Sequence, residues 1–453
     1  MQGRIVKYQS SPVYCTSTGG SIPTINTNGR LYNAQYDLKS EWIQLNTKTT
    51  TGYNSSLTNV QTKEFQFHPY TLYLTPHFLP ISIVTTLSNN AIEWETTTIY
   101  SFDLNNGAGL SQINRLIPIE ITKSETKNNI TRVLESQVRV LENFDSRPQI
   151  EELLTLPLNS PILKTSFTPV TYSNGNFYYD SRYKKNISFS KYTSNGNMEE
   201  YQQADNTNNA IIWGYHQQHP IAMASNTNRN EIAYTSFEIN NSSNWDHTKH
   251  AGDLYAWDKR SSQITTNDPF TGNSCVQLTS TNGPEKSIID IDQTKRYRVS
   301  AWVKTNHVSS NAQLKAFTFL KNGGSANTPY YLNPTYTSGT ANLETVSIGN
   351  TNNKWVYIEL EIEIPTSTPS GDEWAINISF QNNTSQALWI DEVRILPVDA
   401  QMQTYTYQYP HGKTSDCDVR NNRTTYEYDP YGRLKLIRDH NGHIVKSAEY
   451  HYK

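Results

Sequence analysis

Acidic and histidine side chains are the residues of this chain most suited to acid–base or metal chemistry, and their spacing decides whether they can act together. Glu199 and Glu200 are adjacent in the sequence. Neighbouring residues of a β-strand point to opposite faces, so such a pair cannot flank one scissile bond. His216 and His219, in GYHQQHP, stand three apart without a surrounding metal-binding motif. The sequence therefore predicts strand and loop roles for these residues, and a chain that is not an enzyme.

Two Asp-x-x-Gly units stand ten residues apart near the end of the sequence, beginning at Asp429 and Asp439. An acid at these positions could be catalytic, but a tight turn explains both residue types. Glycine accepts positive φ, and an Asp side chain accepts hydrogen bonds from the turn backbone. In the stretch 418–422, DVRNN, Asn421 occupies the place of the glycine. The spacing predicts successive hairpins whose acids form turns.

The composition favours an all-β protein that binds no nucleic acid. Charged residues make up 17 % of the chain, the net charge is −3, and there are 30 Tyr against 13 Phe. Tyr and Thr suit half-buried strands, whereas Asn, Gly and Ser suit turns. Cys15, Cys275 and Cys417 are widely spaced without a Cys-x-x-Cys pair, which argues against a zinc site or a disulfide framework. Cys275 is expected to be a small core residue.

No run of residues approaches the length and apolarity of a membrane span. The opening MQGRIVKYQSSP has no apolar signal-peptide core. Because GRIVKYQ looks like the second half of the unit that closes the chain, we expect the sequence to be an internal piece of a longer protein.

Changes in the sequence pattern along the chain predict four regions. Residues 1–165 are predicted to be β-rich degenerate repeats, with the stretch 130–144 a strand and the stretch after Pro148, QIEELLTL, open to a helix. Residues 166–232 carry repeats and a linker, and residues 398–453 carry further repeats. Residues 233–397 form a β-sandwich, because RYRVSAWVK, WVYIELEIEI and WAINISF each alternate like strands with one buried face.

The alternation divides the sandwich strands into inner and outer residues. The inner set is predicted to comprise Tyr297, Val299, Ala301 and Val303, with Val356, Ile358, Leu360, Ile362 and Ile364 on a second strand. The outer set includes Arg298, Ser300, Trp302, Lys304, Trp355 and Tyr357. Trp374 and Trp389 alternate with inner residues and are predicted to lie in the core.

The hairpin pattern resembles the YD-repeat (Rhs) family. The similarity lies in YEYDPYGRLKLIRDHNGHIVKSAEYHY (426–452), KYTSNGNMEEYQ (191–202) and NGRLYNAQY (28–36). It implies a β-hairpin ribbon that flanks the sandwich, within a large exported bacterial protein that can form a hollow shell.

The sandwich resembles carbohydrate-binding modules of the jelly-roll type, similar to families 4 and 9. Its paired ends, FE at 237–238 and ID at 390–391, carry the similarity. The resemblance implies a structural Ca²⁺ held by Glu238 and Asp391, with backbone oxygens near Gly272 and Asn273 as further ligands. The alternative is that both acids are solvated strand ends.

A sugar site in such a sandwich uses exposed aromatic rings bordered by polar donors, because a pyranose offers an apolar face and hydroxyls that need partners. Trp302, Trp355 and Tyr357 are the candidates. The alternative is that these aromatic residues contact the neighbouring repeats.

Two functional hypotheses follow from these resemblances. The first is a non-enzymatic structural or adhesive segment of a bacterial cell-surface or secreted protein, whose partners are a glycan, other segments of the same large chain and the secretion machinery. The second is a wall segment of a toxin-encapsulating shell.

Overall fold

The short runs of β-branched and aromatic residues, separated by Asn, Gly and Asp, form strands joined by tight turns. The computed structural model describes residues 4–17, 21–25, 31–35, 38–54, 57–67, 79–87, 92–104, 117–238, 257, 264–306, 312–321, 342–366 and 373–451. Within these residues the protein is all-β, and its only helices are two 3₁₀ turns, Lys164–Ser166 and Arg229–Glu231. No described segment forms a helix with the length and apolarity needed to cross a membrane.

The chain divides into two units, Met1–Ser188 and Phe189–Lys453. The predicted division into four regions stays a prediction. Strands up to the end of the first unit are, in order, β1 (Arg4–Ser17), β2 (Ser21–Ile25), β3 (Leu31–Gln35), β4 (Leu38–Asn54), β5 (Leu57–Gln66), β6 (Ser82–Leu87), β7 (Ile92–Tyr100), β8 (Pro118–Lys127), β9 (Ile130–Phe144), β10 (Arg147–Thr155), β11 (Ile162–Leu163), β12 (Thr171–Ser173), β13 (Asn176–Tyr178) and β14 (Lys184–Tyr192).

Antiparallel pairing in the first unit runs from β1 to β4 and then through β5, β6, β7, β8 and β9 to β10. Residues 130–144 form β9, as predicted. Asn128 and Asn129 turn β8 into β9 with φ of 52° and 60°. Two successive positive φ values match the twist of a two-residue hairpin.

The prediction of a possible helix after Pro148 is wrong. Asp145 and Ser146 form another two-residue turn, with φ of 46° and 63°, and the chain continues as β10. Residues of β10 pair with β9 on one side and with β14 on the other. This pairing on both edges outweighs the local helical preference of Glu and Leu.

The second unit contains eighteen further strands, which divide between a sandwich and a meander. They are β15 (Met198–Gln203), β16 (Asn208–Gly214), β17 (His219–Ser225), β18 (Ala233–Thr235), β19 (Ile264–Thr265), β20 (Cys275–Leu278), β21 (Thr281–Ile288), β22 (Arg296–Thr305), β23 (Ala312–Lys321), β24 (Leu343–Ile348), β25 (Val356–Glu363), β26 (Glu373–Asn382), β27 (Leu388–Pro397), β28 (Gln401–Gln408), β29 (Gly412–Cys417), β30 (Arg423–Tyr428), β31 (Leu434–Arg438) and β32 (Ile444–Ser447).

Two sheets face each other in the sandwich. The first sheet has the order β19-β20-β27-β22-β25, with β18 also paired to β27, and the second has the order β21-β26-β23-β24. Their facing residues form one apolar core that includes Phe237, Tyr297, Ile362, Trp374 and Ile390. Cys275, as predicted, is fully buried.

The sandwich is inserted into the meander between two strands that pair with each other. In the meander, β15, β16, β17, β28, β29, β30, β31 and β32 follow in order as antiparallel neighbours. Ser225, at the end of β17, is directly opposite Gln401, at the start of β28. The chain therefore leaves the meander after Ser225, forms the sandwich, and re-enters the meander at Gln401, next to Ser225.

Three turns of the meander have the same construction. Asp429 Oδ1 accepts hydrogen bonds from the backbone N–H groups of Tyr431 and Arg433 at 2.9 and 3.0 Å, and Gly432 has φ of 74°. Asp439 makes the corresponding pair of contacts one hairpin later. The predicted turn role of these acids is confirmed.

The turn without a glycine follows the same rule. Asp418 Oδ1 accepts hydrogen bonds from the N–H groups of Arg420 and Asn422, each at 2.8 Å. Asn421 has φ of 63° and takes the position that glycine holds elsewhere. Asn tolerates this left-handed conformation better than most residues, which confirms the prediction for 418–422.

Candidate functional site

The outer face of the first sandwich sheet carries the predicted aromatic residues. Tyr297, Val299, Ala301 and Val303 of β22 are fully buried in the core, which confirms the predicted inner face of this strand, whereas Val356, predicted to be an inner residue of β25, is 40 % exposed. Residues of β22 between the four buried ones therefore point away from the core. Lys304 on this outer side is nevertheless only 3 % exposed. Part of the outer face is therefore covered rather than open to solvent.

Trp302, Trp355 and Tyr357 form one cluster. Strand pairing places Trp302 directly opposite Tyr357, and their ring centres are 5.8 Å apart in an edge-to-face arrangement. Phe270, from the loop before β20, stacks on Trp302 at 4.0 Å and lies 5.9 Å from Trp355. We call these four residues the aromatic cluster. Phe270 was missed by sequence reasoning, since no strand alternation marks a loop residue.

Phe270 is the buried member of the aromatic cluster, whereas Trp302 is half-buried. Phe270 covers one face of Trp302, and the Arg423 guanidinium of β30 lies over the Phe270 ring at 4.5 Å. Trp302 Nε1 is buried without a hydrogen-bond acceptor among the described residues. The predicted alternative, contact between the outer aromatic residues and the neighbouring repeats, stays a prediction for Trp302, because Phe270 of the sandwich covers it and Phe270 is the residue that meets Arg423.

Two further members of the aromatic cluster reach the surface. Trp355 and Tyr357 are half-buried. Trp355 Nε1 donates a hydrogen bond to the backbone oxygen of Asp268 at 3.2 Å, and the Tyr357 hydroxyl donates one to Glu359 at 2.8 Å. Burial raises the pKa of Tyr357, so its hydroxyl stays protonated as a donor. Both rings are thus fixed in orientation before any ligand arrives.

A buried cation lies beneath this surface. Lys304 Nζ pairs with Asp268 Oδ2 at 2.6 Å and lies 5.1 Å from the Trp355 ring centre and 4.7 Å from that of Trp389. The predicted core position of Trp389 is wrong, because Leu388 and Ile390 take the inward positions of β27. Trp374, in contrast, lies in the core as predicted.

Glu238 follows the end of β18, and Asp391 lies within β27, the strand that pairs with β18. Both side chains are buried, at 9 % and 0 % exposure. Glu238 Oε1 accepts hydrogen bonds from the N–H groups of Asn273 and Ser274 at 2.8 and 3.1 Å. Asp391 Oδ2 accepts one from the N–H of Thr271 at 2.8 Å. The 271–274 loop therefore meets both acids, and here it supplies N–H donors.

Burial opposes ionisation of Glu238 and Asp391. Burial raises the pKa of Glu238 to about 7, against the hydrogen bonds that it accepts. Burial, followed by the charge of Glu392, raises the pKa of Asp391 well above its ordinary value. The nearby Arg394 guanidinium pairs with Glu392 at 3.3 Å. Glu238 and Asp391 form no ion pair with a described cationic side chain.

The two carboxylates match a hard cation in ligand type, whereas the neighbouring 271–274 backbone offers them N–H donors. Ca²⁺ takes six to eight oxygen ligands, including carboxylates, backbone carbonyls and water. Among the described residues, no three His, Cys, Asp or Glu side chains are arranged to hold a metal ion. Glu238 and Asp391 would therefore supply the carboxylates, and backbone or water oxygens the rest.

Comparison with known protein families identifies a similarity in the sandwich. A family model described as delta endotoxin matches residues 254–399. No curated protein matches the chain. The predicted similarity to the YD-repeat (Rhs) family is wrong, because the family that matches is the delta endotoxin family. The reason is physical: Asp-x-x-Gly turns follow from the backbone of any tight antiparallel meander, so they do not identify one family.

Among solved structures, the matches include carbohydrate-binding modules. "Family 16 Carbohydrate Binding Module-2" is 10 % identical, with a TM-score of 0.21, over 29 % of this chain and 83 % of that chain. The CBM22-1 xylan-binding domain from Paenibacillus barcinonensis Xyn10C is 20 % identical, with a TM-score of 0.21, over 30 % of this chain and 79 % of that chain. TmCBM61, in complex with beta-1,4-galactotriose, is 13 % identical, with a TM-score of 0.19, over 31 % of this chain and 86 % of that chain. TM-scores this low assign no ligand to the present chain.

Proposed function

We propose that the chain is a non-catalytic binding protein whose sandwich recognises a glycan through Trp355 and Tyr357. One arrangement supports this most strongly: two half-buried aromatic rings, held by their own hydrogen bonds, lie at the surface above a buried cation. A pyranose can stack its apolar face on such rings while its hydroxyls bind polar neighbours such as Glu359. Trp302 supports the site from below, because Phe270 occupies its stacking face.

The match of the sandwich to the delta endotoxin family supports a place in a protein toxin. A toxin acts away from the cell that makes it, so we propose a secreted or cell-surface bacterial protein. Within it, the sandwich provides recognition of a target.

A glycan array probed with the full chain, followed by calorimetric titration of the saccharides that bind, tests the glycan site. Trp355→Ala and Tyr357→Ala should each weaken binding at least tenfold. Tyr431→Ala is the matched control, because Tyr431 is 83 % exposed on a meander turn. Absence of binding to any arrayed glycan, or unchanged affinity in both variants, would remove the proposal.

We also propose that Glu238 and Asp391 hold a structural Ca²⁺. Two buried carboxylates without a described cationic partner support this. Burial favours the protonated form of both carboxyls, and a divalent ion would take the place of those protons.

Thermal unfolding with Ca²⁺ and with a chelator tests the metal proposal. Ca²⁺ should raise the melting temperature of the wild-type chain, and Glu238→Gln or Asp391→Asn should abolish that rise. Glu359→Gln, which changes an exposed acid, should retain it. Equal melting temperatures of the wild-type chain in Ca²⁺ and chelator would refute this site.

A further inference from the structure

The outer face of the meander carries a groove across four of its strands. Strand register aligns Tyr201 of β15, Asn209 of β16, Ser225 of β17 and Gln401 of β28 in one row. The pairing therefore presents an aromatic ring, an amide, a hydroxyl and a second amide side by side. The row is continuous because β17 and β28, which precede and follow the inserted sandwich in the sequence, pair with each other.

A second row gives the groove an apolar floor. Ile211 lies opposite Met223, and Met223 lies opposite Gln403. Tyr405, two residues beyond Gln403, closes this end of the groove, and its hydroxyl lies 3.7 Å from the Met223 sulfur. Met223 is 38 % exposed, so its polarizable side chain is available to a ligand. Aromatic and thioether groups of this kind favour contact with the apolar face of a ring.

The size of the groove fits one ring of a longer ligand. Its volume is about 190 Å³, below the range of about 300–1,000 Å³ that is typical for pockets enclosing drug-sized molecules. A groove this shallow leaves both ends of a chain-like ligand in solvent.

The polar groups that line the groove are all neutral. The amides of Gln401 and Gln403 bond to no other described residue, so their donors and acceptors are free for a ligand. Asn209 uses its Nδ2 on the backbone oxygen of Thr207 at 3.0 Å. Each free amide offers both a donor and an acceptor, as a sugar hydroxyl requires.

An ion pair lies beside Tyr405 at one end of the groove. Lys413 Nζ lies 5.6 Å from the Tyr405 ring centre and pairs with Asp416 at 2.8 Å. A phosphate or sulfate ligand would need unpaired cationic side chains, and none lines this groove among the described residues. The lining therefore discriminates against anionic ligands and suits a neutral polyhydroxylated one.

We propose that this groove is a second, separate binding site for a neutral saccharide. One sugar ring lies over Met223 between Tyr201 and Tyr405, and its hydroxyls bind the amides of Gln401 and Gln403. The site shares no residue with the aromatic cluster, and it stands whether or not the cluster binds a glycan.

Isothermal titration of the full chain with cellohexaose, xylohexaose, mannohexaose and chitohexaose tests the groove. At least one of these neutral oligosaccharides should bind, and Tyr405→Ala and Gln403→Ala should each weaken that binding at least tenfold. Gln403 is half-buried at the surface, so its replacement should leave the fold intact, as circular dichroism would verify. Tyr431→Ala is the aromatic control and should bind like the wild type.

Trp355→Ala separates the two sites. Binding that is lost in Gln403→Ala and kept in Trp355→Ala assigns the saccharide to the groove, even if the aromatic cluster binds nothing. Binding that is lost only in Trp355→Ala, or no binding of any of the four hexasaccharides, overturns the groove proposal. Tighter binding of an anionic hexasaccharide, such as one derived from polygalacturonate, would also overturn it.

Discussion

The guanidinium carbon of Arg423 lies 4.5 Å from the ring centre of Phe270, and the same guanidinium donates a hydrogen bond to the Phe270 backbone oxygen. Trp302 stacks on the same ring at 4.0 Å. The Phe270 ring thereby connects strand β30 of the meander to the outer face of the sandwich. The sandwich therefore depends on the meander for part of its stability.

Arg423→Ala should lower the free energy of unfolding by about 1–2 kcal/mol, since it removes a cation–π contact and a hydrogen bond. Urea denaturation monitored by tryptophan fluorescence measures this, because Trp302 and Trp355 belong to the cluster that would be disturbed. Arg420→Ala is the matched control: Arg420 is exposed on the preceding turn of the same meander. Equal stability of the two variants would contradict the proposed connection.

A second contact between sandwich and meander joins a meander hydroxyl to a buried ion pair within β27. Arg394 Nη2 lies 3.3 Å from Glu392 Oε2, with both side chains buried. Thr404 of the meander donates to Glu392 at 2.9 Å and accepts from Arg394 at 2.9 Å. Arg394→Met should lower the free energy of unfolding by about 3–5 kcal/mol, because it leaves the Glu392 carboxylate buried and unpaired.

The double variant Glu392→Gln/Arg394→Met tests the cause of that loss. Removing both charges should recover part of the stability, since the cost comes from an uncompensated charge rather than from lost volume. Chemical denaturation of the two single variants and the double variant measures the coupling. A double variant less stable than Arg394→Met would point to packing instead.

Local rules predicted much of this fold. The turn acid Asp429 and the substitute residue Asn421 behave as their conformational preferences require. Alternation placed Trp302 and Tyr357 on one outer face, where strand pairing brings them together. These features depend on residues close in sequence or on period-2 geometry, which a sequence displays directly.

Sequence patterns did not predict the contacts between segments that are distant in the chain. Phe270 lies in a loop, and no sequence pattern near it predicts its contact with Arg423, which is 153 residues away. The prediction that Trp389 lies in the core rested on its alternation with inner residues, whereas it faces Lys304 on the covered outer face. A second layer over a sheet buries polar and aromatic residues alike, so alternation alone cannot separate a core face from an interface.

Glu120 in the first unit gives a prediction about pH. Its buried carboxylate accepts hydrogen bonds from the Tyr183 hydroxyl at 2.9 Å and the Val170 N–H at 3.2 Å. Burial raises the pKa of Glu120 above its ordinary value of 4.5, although these bonds oppose the rise. The folded state therefore holds this proton more tightly than the unfolded state, and stability should fall as pH rises from 4.5 through the raised pKa, then level off.

The slope in that range should reach at most about 1.4 kcal/mol per pH unit, and Glu120→Gln should flatten it. Hydrogen exchange of peptides from β8 and β9, corrected for the intrinsic effect of pH on exchange, measures the local stability. Glu142→Gln changes an exposed acid of β9 and should leave the slope unchanged. A stability that increases across this range would exclude the assigned role of Glu120.

The meander turns allow backbone strain to be separated from side-chain contacts. Gly432 has φ of 74°, and an added Cβ would meet only His411, at an ordinary distance of 3.5 Å. Gly432→Ala should therefore cost about 1–2 kcal/mol through strain in the left-handed region rather than through a clash. Asn421→Gly at the equivalent position should be nearly neutral, because relief of strain is offset by the greater freedom of glycine in the unfolded chain. Thermal denaturation of both variants, with Tyr431→Ala as the surface control, measures the difference, and equal costs at the two positions would mean that the turns are not equivalent.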